Sequence, residues 1–316
     1  MKISNLIKQY VEHRRSLGEK FRTNAIVLNH FCRHMGGETG IQDLTEKMVT
    51  EYLYYGHDHV TANWFCRYGA LKGFLTWCMS RGYSEKWILT STIPNRPEHL
   101  VPYIYSNKEL KLIFDTALTY QKNRSRICPE CVRAILMVTY FLGLRIHETM
   151  SLRLRDINMT ERYVHIRESK FYKSRIVTFN EPVKELISRF LGWRRKKGMP
   201  ETPETGLWLD VSNNPMNRDT FQGIFTRIRE KAGIKREDGA VYQPRIHDLR
   251  HTFAVNRLSQ WYANGEDVQK MLPALSTYMG HKHLSHTSVY LSITDNILKI
   301  TSDIFQDFAG MKGGEP

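Results

Sequence analysis

The stretch PRIHDLRHTFAVNRL, residues 244–258, opens on a crowd of polar side chains and ends in an apolar face. Phe253, Ala254, Val255 and Leu258 recur at helical spacing, which predicts a helix over about 247–260 with one side in a core. On that helix His247 stands one turn from both Arg250 and His251. Two chemistries use such a row. Two histidines four apart, with an acid beside the first, have the spacing of a helical zinc site in which Asp248 would be the base. For that reading Asp248 is shorter than the usual glutamate, and a third ligand would have to come from His281 or His283. Alternatively, an arginine and histidines on one face can hold a phosphate, because guanidinium and imidazole both donate hydrogen bonds to it.

Composition narrows the choice of partner. Lys and Arg total 46 against 32 Asp and Glu, a formal net charge of +14, which predicts nucleic acid or an anionic membrane surface as the partner. Apolar residues make up 41% of the 316, enough to bury a core in each of two domains. No apolar run approaches the roughly 20 residues that cross a bilayer. The N-terminal MKISNLIKQYVEHRR lacks the apolar core of a signal peptide, so a soluble, cytoplasmic protein is expected. Five cysteines, an odd number without an export signal, point to reduced thiols. Cys128 and Cys131 form a CPEC motif, but a zinc ribbon needs a second ligand pair. Pro129 ahead of the run AILMVTYFLGL reads instead as the start of a buried helix.

Four helices are expected before residue 80. Ile3, Leu6, Ile7, Tyr10 and Val11 repeat at three and four, with Thr23, Thr45 and Thr61 as N-caps and Gly18, Gly36 and Gly82 as stops. TSTIPNRPEHLVPYIYS, residues 90–106, carries three prolines and no helical period, as a linker would. Ser106 and Glu109 form a capping box for the next helix, and another runs from about Glu130 to Phe141. RYVHIRESKFYKSRIVTF alternates on both sides of a polar center and reads as a hairpin or three-stranded sheet. Helices are expected again at about 182–197, 217–232, 266–279 and 285–292. WRRKKG, residues 193–198, reads as a solvated basic helix end, with DNA as the other option.

A second arginine stands in FLGLRIHETMSL, where Gly143 interrupts an apolar helix just before Arg145 and Glu148 follows one turn on. An arginine at a helix break, backed by a carboxylate, is held rigidly enough for bidentate recognition of a phosphate, although a structural salt bridge uses the same pair. In chain order, LGLRIHETMSL, KFYKSRIV, HDLRH and MGHKHLSHTSVY resemble the boxes of the tyrosine recombinase (phage integrase) family, and are similar to Xer-like and mobile-element (transposon) recombinases. The likeness covers the C-terminal two thirds by motif. It implies Arg145, Lys170, His247, Arg250, His281 and Tyr290 as catalytic residues, with Glu148 and His251 orienting them from behind. Phe171 and Tyr172 stand where the family often has small residues, which bears on the placement of Lys170. The segment from Arg250 to His281 is longer than in members that resolve chromosome dimers.

The fold this implies is mainly α with a small β-sheet. It has a helical core DNA-binding (SAM-like) bundle over residues 1–95, a Pro-rich linker over 96–105, and a mixed α/β catalytic domain over 106–316. The expected activity is site-specific recombination through a 3′-phosphotyrosine and a Holliday junction, with no metal and no cofactor. Tyr290 would be the nucleophile, Lys170 the general acid and His247 the acceptor of the tyrosine proton. His283 and His286 fall outside the motif and are expected at the surface. The expected partner is double-stranded DNA with paired recombination sites, with no membrane, in a nucleoid-associated setting. A homo-tetramer, or a hetero-tetramer with related recombinases, would be joined by a docking helix over about 294–310, where Ile297, Leu298, Ile300, Ile304, Phe305 and Phe308 are spaced as an amphipathic face. The rivals are a non-cleaving DNA-binding regulator of the same fold, a type IB topoisomerase and a zinc hydrolase.

Overall fold

A computed structural model of the chain describes residues 1–96, 101–121, 125–167, 174–240, 242–281 and 283–294. The chain divides into two compact units, Met1–Leu100 and Val101–Pro316. The first holds α1 (Ile3–Ser16), α2 (Arg22–Met35), α3 (Glu46–Tyr54) and α4 (Ala62–Ser80). Helix α4 buries Trp64, Tyr68, Leu71, Leu75 and Cys78, an alternating four-and-three spacing that lays one stripe against α1 and α2. Thr45 and Thr61 cap α3 and α4 by accepting from the main-chain N–H groups of Met48 and Trp64. Thr23 caps nothing, because α2 starts earlier, at Arg22. Its N-cap is Phe21, buried with φ 41°, whose ring meets Tyr10 edge-on at 5.5 Å. Tertiary burial of that ring, rather than a local hydroxyl, sets where α2 begins.

The second unit contains α5 (Asn107–Thr116), α6 (Pro129–Phe141), α7 (Ile146–Met150), β1 (Ile157–Asn158), β2 (Tyr163–Ile166), β3 (Arg175–Thr178), α8 (Glu181–Lys196), α9 (Arg218–Lys231), α10 (Asp248–Ala263) and α11 (Val268–Met279). A further helix, α12, covers residues 285–294. The unit is mainly helical with one small antiparallel sheet, as expected. Ser106 and Glu109 make the reciprocal capping box at α5. Pro129 opens α6 behind the N-cap Cys128, and α6 is buried on nearly every side, packed by α5, α7, α8 and α10. The sheet runs β1-β2-β3, with Val164 opposite Val177 and both facing the core. Alternation puts Arg175 on the same side of β3 as Val177.

The basic end of α8 departs from a solvated terminus. Arg194 is 1% exposed and donates to the carbonyls of Pro200, Gly206 and Leu207, so it closes the loop that follows the helix. Among the described residues no helix is long and apolar enough to cross a membrane. Lys170 and the proposed docking segment past residue 294 lie outside the described residues.

Candidate active site

Helix α6 ends at Phe141, and Gly143 turns the chain with φ +56°. A Cβ there would sit 2.3 Å from the Phe253 ring, so glycine is required both by the backbone and by the close approach of α10. The turn delivers Arg145 to the N-cap of α7, whose five residues carry Glu148 back to it. The Glu148 carboxylate accepts from the Arg145 main-chain N–H at 3.0 Å and from Arg145 Nη1 at 2.9 Å.

Glu148 is almost completely buried and is the hub of three arginines. Arg175, from the first position of β3, donates to both carboxylate oxygens at 2.9 Å. Arg250 Nη1 lies 4.0 Å away. Desolvation pushes the Glu148 pKa up, but the hydrogen bonds and charge of Arg175, and then Arg145, outweigh it and hold the group at about 2.

The C-terminus of α11 gathers the same three guanidiniums. Arg250 donates to Met279 O at 2.5 Å and to Gly143 O at 2.7 Å; Arg145 donates to Gly280 O at 2.9 Å; Arg175 Nε donates to Tyr278 O at 2.8 Å. Unpaired carbonyls at a helix end carry partial negative charge, which draws cations to this point. Arg250 is 1% exposed, and desolvation, followed by the charge of Arg145, lowers its pKa to about 9. It stays protonated at neutral pH.

Gly280 ends α11 with φ +66° and releases the chain to His281, whose Nδ1 lies 2.7 Å from the buried Thr287 Oγ1. Desolvation, then Arg250 and Arg145, depress the His281 pKa to about 3, so the ring is neutral. Helix α12 brings Tyr290 into the cluster, 3% exposed, with its ring stacked on His281 at 6.2 Å. Burial raises the Tyr290 pKa while Arg250 and Arg145 oppose it. Its hydroxyl lies 2.8 Å from His251 Nδ1. His251 has a pKa of about 4, lowered by desolvation and then by Arg245 and Arg250, so at neutral pH the ring is uncharged and one of its nitrogens can accept a proton.

The structure thus brings Arg145, Glu148, Arg250, His251, His281 and Tyr290 into one cluster. His247 is beside it: an exposed residue, it meets the His251 ring edge-on at 4.7 Å. The hydrogen bond to the Tyr290 hydroxyl is made by His251, the residue expected to act from behind, rather than by His247. Asp248 is turned inward, accepting from the Arg245 main-chain N–H at 2.8 Å and pairing with its guanidinium at 3.1 Å. Among the described residues no group of three or more His, Cys, Asp or Glu side chains stands close enough to hold a metal ion. His283 and His286 are exposed. Arg175 and Thr287 stand inside the KFYKSRIV and MGHKHLSHTSVY boxes, but the motif reading gave neither a role. The available signal for Arg175 was a charged residue in phase with Val177 on the inward face of a strand.

An arginine pair, a neutral histidine and a buried tyrosine thus stand in one cluster, and known proteins resemble the chain that carries them. Residues 106–296 match the phage integrase family. The chain belongs to that family. The y4rB protein of Sinorhizobium fredii, provisionally named an integrase/recombinase, is 26% identical over 93% of this chain and 93% of its own length. Tyrosine recombinase XerD of Xanthomonas axonopodis pv. citri is 30% identical over 50% of this chain and 49% of its own. In fold, the chain matches the Tn1549 transposon integrase in complex with transposon right end DNA (TM-score 0.66, 16% identity, 92% of this chain and 94% of that one). It also matches a lambda integrase dimer bound to a core site (TM-score 0.67, 16% identity, 90% and 97%). The tyrosine recombinase assignment made from the boxes holds, and the chain is an enzyme of that class.

Proposed function

We propose that the chain is a site-specific DNA recombinase that moves or resolves a mobile element by cutting and rejoining strands through Tyr290. The observation that carries this is the Tyr290 hydroxyl on His251 Nδ1, inside a cluster whose arginines outnumber its carboxylate. A phosphodiester resists attack because the nucleophile approaches an anion and an alkoxide must leave. Arg145 and Arg250 supply the charge that offsets the first difficulty, and His281, neutral, adds a hydrogen bond to a non-bridging oxygen. The Tyr290 oxygen forms the new bond to phosphorus as the bond to the 5′ oxygen breaks. The phenol proton passes to His251, whose Nδ1 lies within hydrogen-bond distance of the hydroxyl, while His247 serves the phosphate. Lys170 is the candidate that protonates the departing 5′ oxygen. The phosphotyrosine keeps the ester, so a second strand's 5′ hydroxyl can reverse the step without a nucleotide cofactor.

The net charge of +14 supports duplex DNA as partner. A lambda integrase tetramer bound to a Holliday junction shares the fold, with TM-score 0.67 at 15% identity over 92% of this chain and 77% of that one, and supports a tetramer on paired sites. Residues 294–310 are the proposed docking segment, Glu148 is the support for Arg145, and a cytoplasmic, nucleoid-associated setting fits the charge. The test is a nicked DNA carrying the element's end sequence. A denaturant-resistant adduct is expected with the wild type and not with Tyr290→Phe. A site that binds the protein firmly yet forms no adduct would leave a non-cleaving regulator as the reading.

A further inference from the structure

We infer that Arg175 is a positioning residue of this site: by occupying both oxygens of Glu148 it keeps that carboxylate from neutralising Arg145 and Arg250, so that their charge faces the phosphate. This rests on the recombinase reading above. Glu148 is 2% exposed and cannot be hydrated, so protein donors must fill its oxygens. Arg175 fills both in a fork at 2.9 Å, the geometry in which a guanidinium meets a carboxylate best. Arg145 then needs only its main-chain N–H and Nη1 for Glu148, and Arg250 stays at 4.0 Å. Three guanidiniums against one carboxylate leave two positive charges (3 − 1 = 2). A phosphodiester carries one negative charge and gains a second as the nucleophile adds. Without Arg175 the cluster falls to one positive charge, and the vacated oxygen draws Arg250 in.

Arg175 does not act as a contact to substrate. All three of its guanidinium nitrogens are engaged, Nη1 and Nη2 by the Glu148 carboxylate and Nε by Tyr278 O. The same arm ties β3 to the helix end that Arg250 and Arg145 share. It also explains Gly280 beyond its positive φ, since a Cβ there would stand 2.9 Å from Arg175 Nη1.

The experiment compares full-length wild type, Arg175→Gln, Arg175→Lys and the double variant Glu148→Gln/Arg175→Gln on the nicked substrate, with binding measured alongside. For Arg175→Gln, binding within about threefold of wild type and adduct formation slower by about a hundredfold are expected. Its rate should rise as pH falls from 8 toward 5.5, because Glu148 loses its main counter-charge and takes up a proton there. The double variant, with no surplus carboxylate, should recover about tenfold over Arg175→Gln. Arg175→Lys keeps the charge and loses the fork, so one Glu148 oxygen lacks a donor; it should be about tenfold slow with a smaller rise at low pH than Arg175→Gln, which keeps the test open if Arg175→Gln does not fold. Wild-type rates in the single variants, or slow rates with neither acid recovery nor rescue in the double variant, overturn the inference. Failure of wild type itself to form a Tyr290-dependent adduct overturns the recombinase reading and this inference with it.

Discussion

Arg194 and Arg250 are buried to the same degree, 1% exposed each, in the same unit, and both donate to main-chain carbonyls. Their surroundings differ. Arg194 spans three carbonyls between residues 200 and 207, so its donors close a nearby loop. Arg250 joins two elements far apart in sequence, Gly143 and Met279, and lies in a crowd of like charge with Arg145 and Arg175 around a single carboxylate. Packing three guanidiniums on one carboxylate costs stability that loop closure does not require. The contrast teaches that a buried arginine alone says little about function; surplus buried charge beside a nucleophile says a good deal.

Truncating both arginines is the strongest way to break that contrast. Arg250→Ala, folded by circular dichroism, is expected to slow adduct formation by about a thousandfold, on the order of 4 kcal/mol of transition-state stabilisation. Arg194→Ala is expected to keep the adduct rate per folded molecule within about twofold while lowering unfolding free energy by about 2 kcal/mol, since it strands the buried Leu207 carbonyl and loses two part-buried bonds to Pro200 and Gly206. A folded Arg194→Ala protein that has lost cleavage, or an Arg250→Ala protein that cleaves normally, would erase the distinction.

Acid sharpens the contrast at intermediate size. His251 and His281 have pKa values of about 4 and about 3 in the folded chain, against about 6.5 for an unperturbed imidazole. Both are depressed, so the unfolded chain binds their protons more readily. The stability they contribute is complete above about pH 6.5 and is lost as pH falls toward their folded values. Glu148, at about 2, adds to the loss only below about pH 4.5. The Arg194 loop has no such group among its three carbonyl partners. Unfolding free energy should therefore fall between pH 6.5 and 4.5, by at most about 1.4 kcal/mol per pH unit for each histidine. The double variant His251→Asn/His281→Asn should flatten that slope, and denaturant titrations at several pH values measure it. A slope unchanged in the double variant would show that other groups carry the acid sensitivity.

How legible these features were in the sequence follows from the range of each interaction. The caps at Thr45, Thr61 and the Ser106–Glu109 box join residues three apart, so they can be read from spacing. The start of α2 depends on burying Phe21 against Tyr10, a tertiary contact that spacing does not encode. Arg194 looks like one more member of WRRKKG until residues 200–207 fold back over it. Within the site, the Arg145–Glu148 pair is one helical turn and was visible. Arg175 reaches Glu148 across 27 residues and His251 reaches Tyr290 across 39, so their partners emerge only once β3, α10 and α12 pack. Lys170 rests on the motif alone.

The smallest expected effect takes the contrast down to one hydroxyl. Thr287 is fully buried, and its Oγ1 lies 2.7 Å from His281 Nδ1. With a pKa of about 3, His281 carries a single N–H at neutral pH. If the threonine donates to Nδ1, that proton is on Nε2, free to donate to a phosphate oxygen. The hydroxyl thus selects the useful tautomer, as the carbonyls around Arg194 select nothing beyond a loop. Thr287→Val preserves shape and removes the donor, and should slow adduct formation by about fivefold, near 1 kcal/mol, with DNA affinity retained. Thr287→Ser restores the donor and should return the rate to within about twofold of wild type. Equal rates in the valine and serine variants would mean that the ring is held by packing against Tyr290 instead, and that the tautomer is set elsewhere.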